Sequence, residues 1–267
     1  MTTSDTKYRQ LVSNLETLKL ETMIDALPNC IDALNRKEMG FIDTLTELTG
    51  KEIDFRSERA MKFNIKASNF PYEKRMSDFD FSYQPNINKH EIDDLMSLRF
   101  VEKKENILFI GSSGVGKTHL ATAIGIEASS KRISTYFINC HVLINKLTKA
   151  YHENRHEPAL KQFFKAQVLI IDEIGYLPID KVGANLFFQL IAMRYEKKST
   201  IVTTNIPLSK WGETFSDSTI AAAILDRLVH HSTIIRITGK SYRLKGKTDS
   251  NERASKSMND ETPSQTL

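Results

Sequence analysis

Cysteine is scarce: the 267 residues hold two, Cys30 and Cys140, far apart, with no C-x-x-C pair and no histidine at ligand spacing. That argues against a disulfide framework and a cysteine zinc site, and leaves reduced core thiols as the expectation. No apolar run approaches the eighteen or so residues that a membrane helix needs, and the opening Met-Thr-Thr-Ser-Asp carries no apolar leader. A cytoplasmic chain with no membrane partner is expected. A large charge excess is missing too. The net charge of +4 permits nucleic-acid binding without demanding it, so any basic surface must be local. With 40% hydrophobic residues, the chain still has enough apolar sequence to bury a substantial core in one large or two modest domains.

What is present is a phosphate-binding pattern with nothing missing. Gly111-Ser112-Ser113-Gly114-Val115-Gly116-Lys117-Thr118 satisfies G-x-x-x-x-G-K-[ST]. Asn106 to Ile110 before it is an apolar run of strand length, and His119 to Ser130 after it is Ala-rich with apolar residues at helical spacing. Glycines let backbone N–H groups curl around a polyphosphate. Lys117 adds a mobile positive charge, and Thr118 opens the helix with a hydroxyl able to ligate Mg²⁺. Residues 111–118 and the adjoining His119 are the expected nucleotide contacts. The guanine-reading N/T-K-x-D pattern is absent from the strand ends, since Asn145-Lys146-Leu147-Thr148 lacks the acid, so ATP is the expected nucleotide.

Up to about residue 69 there is no strand-like alternation. Leu11, Leu15 and Leu18, then Ile24, Leu27, Ile31 and Leu34, then Leu45, Leu48 and Ile53 predict several short amphipathic helices, with Pro28 starting or breaking one and Gly40 and Gly50 punctuating the rest. From Lys51 to Arg75, basic and acidic residues alternate with aromatics, as either a solvated helix face or a nucleic-acid contact, and Asn69-Phe70-Pro71 ends that helix. The aromatic-alternating Asp78 to Pro85 suits an extended linker packed across the next domain. Ile92, Leu95, Met96, Leu98 and Phe100 make one helix face leading into the first strand.

Beyond the loop, Thr135 to Ile138, Val168 to Ile171, Thr200 to Thr203 and Thr233 to Ile237 are short β-branched or aromatic runs separated by helical sequence. With the first strand the count is five, and the alternation predicts an α/β core: a five-stranded parallel sheet covered by helices on both faces, preceded by a small all-helical domain. The boundaries fall at 1–76 for the helical domain, 77–245 for the nucleotide-binding domain and 246–267 for a polar tail with too few apolar residues to fold.

A second constellation sits at the end of the third run. Asp172 and Glu173 follow four apolar residues, at the edge where open α/β sheets bind ligands. Asp172 fits a Mg²⁺ ligand, and Glu173 fits the group that orients and deprotonates a water attacking the γ-phosphate. Asn205, after Thr203-Thr204, is placed to hydrogen-bond that water or the γ-phosphate. Asn-Ile-Pro is also ordinary turn chemistry.

Together with Leu225-Asp226-Arg227-Leu228, these motifs resemble an AAA+ ATPase of the initiator clade. The stretches 106–120 and 169–178, Trp211, and Gly239-Lys240-Ser241-Tyr242-Arg243 make the resemblance strongest to the IstB-like helper ATPases of transposition. It extends from the N-terminal helices to about residue 245. The resemblance implies an ATP-dependent, Mg²⁺-using homo-oligomer that binds double-stranded DNA and delivers a target site to a partner transposase. The DnaC-like helicase loaders share nearly all these motifs. A small-molecule kinase using the same loop is a rival from another class; Glu173 beside Asp172 and the finger-like Arg227, placed to act in trans, suit water attack and subunit assembly better. Too little chain follows the fifth strand for the helical lid typical of AAA+ proteins, and Arg243 is the candidate to replace that lid's arginine.

Between the second and third strands, His141 to Gln167 is long enough for two helices interrupted near Pro158, where an AAA+ core needs one. The extra helix marks the initiator clade. Lys146, Lys149, Arg155, Lys161 and Lys165 outnumber Glu153 and Glu157 there, with Tyr151, His152 and His156 interleaved. These five are the expected DNA contacts, touching phosphates with little sequence preference; a solvated helix face is the plain alternative.

Overall fold

The five apolar runs form strands β1 (Asn106–Gly111), β2 (Thr135–Asn139), β3 (Val168–Ile174), β4 (Ser199–Thr204) and β5 (Ser232–Ile237), all parallel, in the order β2-β3-β4-β1-β5. The structure, a computed structural model, describes residues 3–244. Its helices are α1 (Thr3–Thr17), α2 (Glu21–Asn35), α3 (Phe41–Ala67), α4 (Lys89–Met96), α5 (Arg99–Lys103), α6 (Lys117–Ser130), α7 (Cys140–His152), α8 (His156–Lys165), α9 (Lys181–Arg194), α10 (Trp211–Thr214) and α11 (Ser218–Val229). The expected polar tail at 246–267 lies outside the described residues.

The central strands β3, β4 and β1 bury both faces. Leu108, Leu169, Ile171 and Val202 point into a core built with α7 to α11, whereas Ile107, Phe109, Ile170 and Ile201 point into a second core built with α4 to α6. That two-sided burial is why the strands read as continuous apolar runs rather than as alternating ones. The chain leaves β1 through α6 and re-enters the sheet at β2, passing over β4 and β3. Such a reversal opens a crevice at the carboxyl ends of the strands, and the phosphate loop borders it.

The chain divides into two compact units, residues 1–63 and a second beginning at Asn64. The boundary precedes the expected one at 76 because the segment after α3 packs into the second unit. The Ser68 hydroxyl meets Ser129 of α6 at 2.9 Å, and Phe70 joins the core beside α6. In the first unit, Leu15, Met23, Ala26, Leu27, Cys30 and Leu48 form the core. The expected run of several short helices is instead three, one of them long. Pro28 interrupts nothing, lying inside α2 on its exposed side, where water can satisfy the carbonyl left without a donor. Gly50 likewise lies within α3.

Two other expectations shift. The single helix face before β1 is two helices, because Leu98 adopts a left-handed conformation (φ 66°) between α4 and α5. The break in the 141–167 insertion falls at Asn154 (φ 54°), and Pro158 sits in the first turn of α8, where its missing N–H costs nothing. Arg194, 1% exposed at the end of α9, ties this insertion to the sheet. Its guanidinium donates to the carbonyls of Phe163, Ala166 and Ser199 at 3.0, 2.9 and 2.5 Å. Burial lowers its pKa to about 9, so it stays charged at neutral pH. Cys30 and Cys140 are buried free thiols, and burial pushes the Cys140 thiol up to about 12.

Candidate active site

Register explains how the sheet assembles the site. β1 and β3 flank β4, with Phe109 opposite Thr203 on one side and Ile171 opposite Val202 on the other. Beyond Ile171, β3 carries one extra residue before Ile174 pairs with Thr204, a bulge that contains Asp172 and Glu173. Glu173 accordingly adopts φ 61°, strained backbone for a residue with a side chain, and its N–H donates to the Thr203 hydroxyl at 2.9 Å. The bulge re-aims two adjacent carboxylates. Asp172 turns into the protein at 6% exposure and Glu173 stays exposed toward the crevice.

Asp172 Oδ1 accepts hydrogen bonds from the Thr118 hydroxyl at 2.9 Å and the Thr203 hydroxyl at 2.6 Å. Burial raises its pKa, and these two hydroxyls and Lys117 oppose the rise. The buried carboxylate beside a hydroxyl at the start of α6 is the donor pair that a hard oxygen-seeking cation requires, so these residues fit Mg²⁺. Lys117 is nearly buried. Its ammonium donates to the carbonyls of Gly111 and Ser112, each at 2.7 Å. Burial lowers its pKa against the pull of Asp172 and Glu173.

The loop itself leaves no room for side chains at two glycines. Gly114 (φ 83°) and Gly116 (φ 102°) are left-handed; a Cβ would lie 2.0 Å from Ser241 Oγ at the first and 2.6 Å from the Phe79 ring at the second. Phe79 also meets the His119 ring edge-on, with centroids 5.3 Å apart, while His119 Nε2 lies 3.0 Å from the Arg75 carbonyl. The aromatic-alternating segment thus packs across the phosphate loop. From the other side, Tyr242 N–H donates to the Gly114 carbonyl at 2.9 Å.

A cavity of about 540 Å³ lies over this arrangement. Residues 113–119 line it together with Glu173 and Asn205, so the structure gathers at one place the loop, an exposed carboxylate and the polar end of β4. Gly111 and Ser112 contribute through their contacts with Lys117, and Asp172 lies behind Thr118. Sequence reasoning missed Tyr72, Lys74 and Gln84 in the lining, because segments remote along the chain carry them in. It also missed Asn139 at the end of β2, whose amide donates to Glu173 Oε2 at 3.0 Å. Arg243 lines the cavity as well.

Arg227 is elsewhere. Its carbonyl accepts from the Asn106 amide at 3.5 Å, at the start of β1, whereas the phosphate loop follows the end of that strand. Six residues of strand put roughly 17 Å between the two edges. The Arg227 guanidinium stacks 4.7 Å from the Phe188 ring centroid and donates to the Ala223 carbonyl at 2.9 Å. Lys146, Lys149, Arg155, Lys161 and Lys165 are all exposed on α7, α8 and their connection, with Arg155 paired to Glu153.

The family model of the IstB-like ATP binding proteins matches residues 13–250. The chain belongs to that family. Over 238 residues it is 54% identical to a protein of insertion sequence IS232 from Bacillus thuringiensis subsp. berliner, provisionally named an ATP-binding protein, covering 89% of this chain and 95% of that one. A similarly named protein of insertion sequence IS5376 from Geobacillus stearothermophilus is 42% identical, with 86% and 92% covered. Among solved structures, DnaI aligns with TM-score 0.53 at 23% identity, over 62% of this chain and 92% of that one. AMPPCP-bound DnaA from Aquifex aeolicus aligns with TM-score 0.54 at 16% identity, over 69% and 56%. At such identities these two show a common fold, the P-loop AAA+ core that the family's sequence motifs imply. Among the described residues, no helix is long and apolar enough to cross a membrane.

Proposed function

We propose that this family member hydrolyses ATP to control its own assembly on DNA, and that the assembly helps a transposase select and enter a target site. The observation that carries the proposal is the convergence of Lys117, Thr118, Glu173 and Asn205 on one cavity with Asp172 behind them, while Arg227 lies at the far edge of the sheet. ATP as substrate supplies the γ-phosphoryl group, and Mg²⁺ supplies positive charge against its oxygens. Thr118 and Asp172 would hold the cation. Lys117 exchanges its two backbone carbonyls for phosphate oxygens, a stronger charge-assisted pairing. Glu173 takes the proton of the attacking water, and Asn205 orients that water from the neighbouring strand end.

Arg227 lies too far from its own cavity to help there, so it serves a neighbouring subunit, where ATP completes a joint site and hydrolysis releases it. The insertion-sequence origin of the relatives supports transposition as the setting. DNA lies along the exposed cations of α7 and α8, which repeat from subunit to subunit and contact phosphates rather than bases. Changing Lys146, Lys149 and Arg155 together to Ala weakens duplex binding equally across sequences and flattens its salt dependence, while basal ATPase persists. Unchanged affinity and salt slope would move the DNA site to the basic stretch between Lys51 and Arg75.

A further inference from the structure

At the sheet edge opposite the nucleotide cavity, two turns meet. The α9–β4 turn presents Glu196, in left-handed conformation (φ 56°), and the α11–β5 turn presents His230 and His231. One ligating atom from each of the three lies within 4.8 Å of the other two. His231 Nε2 is 3.3 Å from Glu196 Oε1, and the two imidazole centroids are 4.0 Å apart. Sequence spacing gave no sign of this, since Glu196 reaches the pair only through the fold.

The backbone beneath is fixed. The His231 carbonyl accepts from Asn106 N–H at 2.8 Å, and the Lys197 and Lys198 N–H groups both donate to the Arg194 carbonyl at 2.9 Å. The ligating atoms therefore hang from anchored turns, and small side-chain rotations bring them to the roughly 2.0–2.2 Å that nitrogen and carboxylate ligands adopt around zinc. A further contact orients one ring. The Tyr195 hydroxyl lies 2.7 Å from His230 Nδ1, which leaves Nε2 for an ion. A hydrogen-bonding partner on the far ring nitrogen is what ligating histidines ordinarily have.

We propose that Glu196, His230 and His231, supported by Tyr195, form a site for a divalent transition-metal ion of the zinc or nickel class. Two imidazoles and one carboxylate favour such ions over Mg²⁺ or Ca²⁺, which take oxygen ligands. The bound ion ties the end of α11, which carries Arg227 one turn earlier, to the turn after α9. It stands apart from the nucleotide cavity, so it does not depend on ATP hydrolysis.

The test is a titration of untagged full-length protein with Zn²⁺ and, for a visible signal, Co²⁺, without nucleotide. One equivalent binds to the wild type, with the Co²⁺ spectrum of mixed nitrogen and oxygen ligation. His230→Ala/His231→Ala abolishes that equivalent, and Tyr195→Phe weakens it about tenfold, the range typical of lost supporting contacts. All three ligands are exposed, so the variants keep their fold, checked by unchanged circular dichroism and melting temperature in the absence of metal. Absence of stoichiometric binding, or equal binding by wild type and the double variant, overturns the proposal.

Discussion

The side chain of Asn139 holds two structures at once: its amide nitrogen donates to Glu173 Oε2 at 3.0 Å, and its oxygen accepts from His141 N–H at 2.9 Å to cap α7. The end of β2 therefore fixes both the Glu173 carboxylate and the start of the basic insertion. Asn139→Ala loses both contacts. Asn139→Asp keeps the cap and sets a second carboxylate against Glu173. Both lower kcat for ATP hydrolysis about tenfold with KM unchanged, as expected when only positioning of the base is lost. A defect in the Ala variant alone would assign Asn139 to helix capping.

Lys117→Ala and Glu173→Gln fail differently. The first removes the counter-charge of the phosphates and abolishes ATP binding; the second keeps binding and stops hydrolysis. Equilibrium binding of a fluorescent ATP analogue, measured beside phosphate release, separates them. Normal hydrolysis by Glu173→Gln contradicts the role given to Glu173.

Asp172 is a buried carboxylate whose pKa burial raises. A folded-state pKa above the unfolded one means that the folded chain holds the proton longer, so stability falls as pH rises from the ordinary carboxylate value through the raised one. At neutral pH, without Mg²⁺ or nucleotide, Asp172→Asn melts higher than the wild type, by roughly 1 kcal/mol of stability, because the charge is gone while an oxygen remains for Thr118 and Thr203. Adding Mg²⁺ and ATP reverses the order. A lower melting point for Asp172→Asn in both conditions contradicts this account.

The role proposed for Arg227 is to act across a subunit boundary. Arg227→Ala alone and Lys117→Ala alone each lose hydrolysis, the first by about three orders of magnitude or more, as for a finger supplied in trans. Mixing the two restores part of the activity, because some interfaces then pair an intact cavity with an intact arginine. Full activity of Arg227→Ala alone, with no recovery in mixtures, removes the idea.

Much of this was legible in the residues. The five strands, the phosphate loop and the Asp172-Glu173 pair are local signals: short apolar runs, and a motif whose glycines are demanded by backbone geometry. Other features are tertiary. The bulge that turns Glu173 outward depends on β4, and the packing of Phe79 on Gly116 joins segments far apart in sequence. The Asn139 contact with Glu173 depends on the pairing of β2 with β3. Pro28 and Gly50 misled for the opposite reason, since their local cost is only about 3 and 1 kcal/mol and helix packing overrides it.

The central claim, that ATP drives assembly on DNA and hydrolysis undoes it, is tested most directly by measuring particle size and duplex binding together for wild type and Glu173→Gln. The conditions are no nucleotide, ADP, and ATP with Mg²⁺. The account predicts small, weakly bound species without nucleotide and with ADP, and large DNA-bound oligomers with ATP that persist in Glu173→Gln and decay in the wild type as ATP is consumed. Equal size and equal DNA affinity in all three conditions, for both proteins, would contradict it.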